Sequence, residues 1–122
     1  MSTCNVCIGG YDGSVDFFFE RQVTCRKPAK CAECGQPIIS GMKYFRVGGK
    51  CEGEMWTMKV CVMCQEIGKV FSCGEGREYG NMWELMTDYA FPKLTTASPC
   101  FRELSPAAKE FVLKRWREWK GL

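Results

Sequence analysis

A small α+β domain is the fold class this sequence predicts, and three features predict it. Two Cys-x-x-Cys pairs, Cys31/Cys34 and Cys61/Cys64, stand with twenty-six residues between Cys34 and Cys61. Inside that interval, Lys43 to Val47 and Met55 to Val60 are rich in β-branched and aromatic residues and flank the turn-forming run GGKCEGE, which is the pattern of a hairpin. Downstream of the second pair, apolar residues recur at helical spacing, with a capping residue ahead of them.

Thiolates at i and i+3 can face one ion when the backbone between and after them turns sharply. Gly35, directly after Cys34, is the residue type such a knuckle tolerates best. Cys61 and Cys64 open a run in which Val62, Ile67 and Val70 line one face of a short helix, so the second pair sits at a helix start. Four thiolates in this arrangement are the ligand set of a closed tetrahedral Zn(II) site, with rubredoxin-like iron as the alternative. The order knuckle, hairpin, then two ligands at a helix start, carried by KCAECGQPIISGMKY and CVMC, resembles the treble-clef class of zinc folds. That resemblance covers a minor part of the chain and implies a fold, not an activity.

A third pair, Cys4 and Cys7, precedes the loop IGGYDGS and needs two more ligands. Cys73, after the short helix, and Cys100, in the irregular stretch LTTASPC, best complete it; a cross-brace in which alternate pairs share an ion stays open. Cys25 precedes the first knuckle and Cys51 lies at the hairpin tip, roughly 17–20 Å of strand from the first site, so both read as spare thiols. The expectation is therefore one domain over residues 1–122 holding two zinc ions.

Ten cysteines in a chain that opens STCNVC, with no apolar signal segment, read as metal ligands in a reducing cytoplasm. No apolar run approaches bilayer-spanning length, so no membrane partner is expected. The formal charge of +3 counts cysteine as neutral; eight thiolates on two Zn(II) ions contribute −4, and the loaded protein sits at −1. Net basicity is thus no argument for nucleic acid, and only local patches are. The absence of histidine excludes His-metal nucleases, Cys-His hydrolases and His-Glu-x-x-His metalloproteases in their usual forms.

Local patches exist. Val15 to Val23 reads as an extended segment with Val15, Phe17, Phe19 and Val23 on the side that packs against the metal core. Arg21, Arg26, Lys27 and Lys30 cluster just before the knuckle, either as a solvated loop or as a phosphate-contacting rim. From Asn81, a plausible N-cap, Met82, Leu85, Met86 and Tyr89 mark a helix that ends at Phe91-Pro92. Ser105-Pro106 opens the last helix, which runs to Lys120 before Gly121. Ala108, Phe111, Val112, Trp116 and Trp119 share its apolar face, and Lys114, Arg117 and Lys120 lie around the other, as a partner surface.

The run FSCGEGREYGNMWELMTDYAFPKLTTASPCFRELSPAAKEF and the spacing of the cysteine groups resemble small cysteine-rich proteins of phages and prophages. That resemblance implies an accessory factor in the host cytoplasm, acting on a host or phage protein or on nucleic acid, and brings no established enzymatic activity. The reading is a non-enzymatic two-zinc interaction protein. A nucleic-acid-binding zinc protein is the first alternative, and a dithiol oxidoreductase using Cys61 and Cys64 at a helix start is the second.

Overall fold

The computed structural model describes residue 8 and residues 17–51, 53–72 and 79–121. It divides into two compact units, Asp12–Gln65, and Met1–Tyr11 with Glu66–Leu122. Among the described residues no helix is long and apolar enough to cross a membrane.

The first unit is built on β1 (Phe17–Thr24), β2 (Ala29–Lys30), β3 (Pro37–Ile38), β4 (Lys43–Cys51) and β5 (Glu54–Cys61). β1, β4 and β5 form an antiparallel sheet in the order β1-β4-β5, and β2 pairs with β3 in a small separate ribbon. The β4–β5 hairpin is longer than its composition indicates. Gly48 to Cys51, expected in the turn, belong to β4, and the two strands are joined by residues 52 and 53 alone. Gly48 stays in the strand because the Phe19 ring fills the space its side chain would take: a Cβ there would stand 2.8 Å from Cε1 and Cζ of Phe19.

The register sorts the sheet into two faces. Phe18, Glu20, Val47, Trp56 and Val60 share one face; Phe19, Arg21, Val23, Tyr44, Arg46, Lys59 and Cys61 share the other. The two fully buried valines of the sheet, Val47 and Val60, lie on the first face, where Gln65 Nε2 donates to Glu20 Oε2. The expectation that the side of Val15, Phe17, Phe19 and Val23 packs on the metal core is therefore corrected in part, Val15 lying outside the described residues. Only the Val23–Tyr44–Cys61 end of that face reaches the cysteines, and Phe19 and Val23 are half-buried. Three aromatic residues in succession made both sides of β1 apolar, so alternation within β1 could not choose between them.

Helix α1 (Val62–Phe71) begins directly after β5. Cys64, Ile67 and Phe71 are fully buried at i, i+3 and i+7, whereas Val62, expected on that face, is exposed.

In the second unit, the expected helix from Met82 is α2 (Met82–Leu85), a π turn over Met86–Ala90 and a 3₁₀ turn over Phe91–Lys93. Two residues loosen it. Thr87 Oγ1 donates to the Trp83 carbonyl at 2.9 Å, and Pro92 has no N–H to give to the preceding turn. The wide turn brings Ala90, not Tyr89, to the buried side, and Tyr89 is 60% exposed. Asn81 makes no side-chain capping bond. The stretch LTTASPC, expected to be irregular, contains α3 (Pro99–Arg102), with Ser98 Oγ accepting from the Thr95 N–H at 3.0 Å.

Helix α4 (Pro106–Lys120) keeps both expected ends. Ser105 Oγ accepts from the Ala108 N–H, and Gly121 closes the helix in left-handed backbone. The Glu66 carboxylate accepts from the Ser105 N–H at 2.6 Å and from its hydroxyl at 2.9 Å. Ala108 and Val112 are fully buried, and Trp116 Nε1 donates to the Phe91 carbonyl at 3.2 Å.

Candidate metal centre

The sequence places Cys31 and Cys34 on a turn and Cys61 and Cys64 at a strand-to-helix junction, and the fold brings the four together. Gly35, at φ 75, bends the chain after Cys34, and the Cys31 N–H donates to the Gln36 carbonyl across the knuckle. The Ala32 N–H donates to the Lys59 carbonyl at 2.8 Å, tying the knuckle to the end of β5. Cys61 ends that strand and Cys64 lies in the first turn of α1.

All four sulfurs lie within 4.8 Å of one another, with 3.9 Å between those of Cys34 and Cys61. Zn–S bonds of about 2.3 Å in a tetrahedron place sulfurs about 3.8 Å apart, so the group fits one such ion. Cys31 and Cys64 are buried and Cys34 and Cys61 are half-buried, which encloses the centre on the inner side.

Backbone donors point at the sulfurs. Cys31 Sγ accepts from the N–H groups of Glu33 (3.4 Å), Cys34 (3.5 Å) and Cys61 (3.3 Å), and Cys61 Sγ accepts from the Cys64 N–H (3.3 Å). Such bonds favour the thiolate form that a metal requires. Cys31 is held well below the usual thiol range, first by hydrogen bonds from the Cys61 and Cys64 side chains, against the opposing effect of burial. The same bond to Cys31 pushes Cys61 up to about 12. Cys64 is raised as well, by its bonds to Cys31 and Cys61 and by burial.

Of the second expected ligand set, Cys4, Cys7 and Cys73 lie outside the described residues. Cys100 is buried in the first turn of α3 and is disulfide-bonded, so in this state its sulfur is not a free thiolate. The backbone of the second unit does bring Ile8 and Phe71 together, through an N–H to carbonyl bond of 2.9 Å. Cys25, read as a spare thiol, is buried with its Sγ donating to the Lys27 carbonyl at 2.9 Å, and it is no member of the four-cysteine group.

The expected partner-binding residues are all exposed: Arg21 in β1, Arg26 and Lys27 after it, Lys30 in β2, and Lys114, Arg117 and Lys120 on α4. Lys120 is not wholly free, since its Nζ lies 3.9 Å from the Trp116 ring centroid. Two further cations that no motif singles out, Arg46 and Lys59, stand in register with Arg21 across the sheet. Only the pairing of three separated strands reveals them.

No family model, no curated protein and no solved structure matches this chain.

Proposed function

We propose that the protein is a non-enzymatic binding module whose treble-clef-like centre holds one structural zinc on Cys31, Cys34, Cys61 and Cys64. The observation that carries this reading is the closure of the site. The chain itself supplies four thiol ligands, and three backbone N–H groups donate to the sulfur of one of them, Cys31. A catalytic zinc keeps one position for water or substrate, whereas a structural zinc does not.

A second zinc on Cys4, Cys7, Cys73 and Cys100 belongs to the same proposal, as the form in which Cys100 is reduced. The macromolecule bound is a host or phage component; the link to phage rests on the sequence resemblance alone.

The dithiol oxidoreductase reading has less support. An attacking cysteine needs access, yet Cys64 is fully buried and Cys61 is half-buried within the four-sulfur group.

Elemental analysis of protein purified under reducing conditions without added metal, with native mass, tests the proposal. Zinc at one ion per chain supports the four-cysteine centre, and two ions support the second site as well. Iron, visible as a red protein, replaces structural zinc by an electron-transfer reading. Metal-free protein that reduces disulfide substrates overturns the module.

A further inference from the structure

One face of the three-stranded sheet meets the cysteines only at its Val23–Tyr44–Cys61 end, and beyond that end it carries a second row. Antiparallel register sets Arg21 of β1 opposite Arg46 of β4, and Arg46 opposite Lys59 of β5. All three side chains are exposed. Directly opposed like charges destabilise a sheet, and here two such pairs lie side by side. Among the described residues no carboxylate is in ion-pair range of any of the three; Lys59 has only the Tyr44 ring, 5.9 Å from its Nζ.

The acids of these strands are elsewhere. Glu20 and Glu54 fall on the opposite face by the two-residue alternation, while Lys50 joins the three cations on this one. The acids of these strands therefore share the opposite face with Lys43, while this face carries a row of cations about 10 Å long across two strand spacings.

Beside the row lies an aromatic ring. Phe19 is two residues from Arg21 along β1, half-buried, and its ring leans across the strand over Gly48. A Cβ at Gly48 would come within 2.8 Å of that ring. The glycine thus leaves room for the ring to lie next to the cations.

We propose that this face binds single-stranded nucleic acid, with Arg21, Arg46 and Lys59 contacting successive phosphates and Phe19 stacking on a base. The inference deepens the binding-module reading and rests on it. Charge complementarity selects a polyanion, and the adjacent ring selects one that carries flat apolar groups beside its charges. An open sheet offers no helix or ribbon to enter a duplex groove, and a base can reach Phe19 only when it is unstacked.

The test uses the full-length, metal-loaded chain and labelled oligo-dT and oligo-U of about 15 nucleotides, followed by fluorescence anisotropy from about 50 to 200 mM salt. Binding of either oligonucleotide, tighter than of a duplex of equal length, is expected; the two arms tell DNA from RNA. In the Arg21→Ala/Arg46→Ala/Lys59→Ala variant the slope of log K against log salt should fall by about 2, since each single-strand phosphate contact contributes about 0.7. Phe19→Leu, which keeps bulk and removes stacking, should weaken binding about tenfold with the slope unchanged. Lys43→Ala, on the other face, should change neither. Metal per chain and the thermal transition, measured on every variant, separate lost binding from lost folding. Wild-type protein that is folded and zinc-loaded but binds neither oligonucleotide overturns the nucleic-acid proposal and leaves the zinc module standing. A triple variant with the wild-type slope, equal affinity for duplex, or displacement of the oligonucleotide by poly-glutamate at equal charge overturns it too.

Discussion

The guanidinium of Arg115 lies 4.6 Å from the centroid of the Trp83 ring, so one of the five cations of α4 is spent inside the second unit. It also lies 5.5 Å from the Phe111 ring, which itself stands 5.4 Å from Trp83. Cation and rings form one cluster, the two rings tilted by 35°.

Arg115→Ala should therefore lower stability by about 1 kcal/mol, the scale of a partly desolvated cation–π contact. Lys114→Glu and Arg117→Glu, at exposed positions, should stay within about 0.5 kcal/mol of wild type. Urea unfolding of the three single variants checks the contrast; equal effects at all three would show that Arg115 is another solvated charge.

Gly48 is the tightest point of the sheet. An added Cβ would sit 2.6 Å from the Trp56 carbonyl oxygen as well as against Phe19, and the backbone cannot yield as a flexible side chain does. Gly48→Ala should cost about 1–3 kcal/mol, read as a lower melting temperature with metal content unchanged. A melting temperature equal to wild type would mean that the ring moves aside freely.

The four-cysteine cluster was legible in the sequence because Cys-x-x-Cys spacing and a following glycine are local signals, and the hairpin between the pairs is a signal of composition. The caps of α4 were legible for the same reason: Ser105, Pro106 and Gly121 each act within a turn of themselves. What the sequence concealed depends on distant partners. Phe19 covering Gly48 turns a glycine run into strand, and the core face of β1 is decided by Val47 and Val60 on other strands. The row Arg21, Arg46, Lys59 exists only once register is known. The π turn at Met86–Ala90 follows from a threonine hydroxyl and a proline acting together, while the apolar spacing alone predicts a regular helix.

Cys25 lies outside the four-cysteine group and makes backbone contacts of its own. Its Sγ donates to the Lys27 carbonyl and its N–H to the Met42 carbonyl, closing the loop that carries Arg26 and Lys27. Cys25→Ala should lose about 1 kcal/mol of stability while metal per chain stays at the wild-type value. A drop in bound metal would place Cys25 among the ligands.

Four sulfurs within 4.8 Å of one another could hold one metal ion, and the proposed structural zinc would make its binding free energy folding free energy. Thermal unfolding of the full chain before and after metal removal by a chelator, followed by re-addition of Zn(II), measures that claim directly. Loss of the cooperative transition on chelation and its return with zinc, but not with magnesium, is the predicted result, with Cys31→Ser behaving as the chelated protein does. An unchanged transition in protein shown by elemental analysis to be metal-free would contradict it.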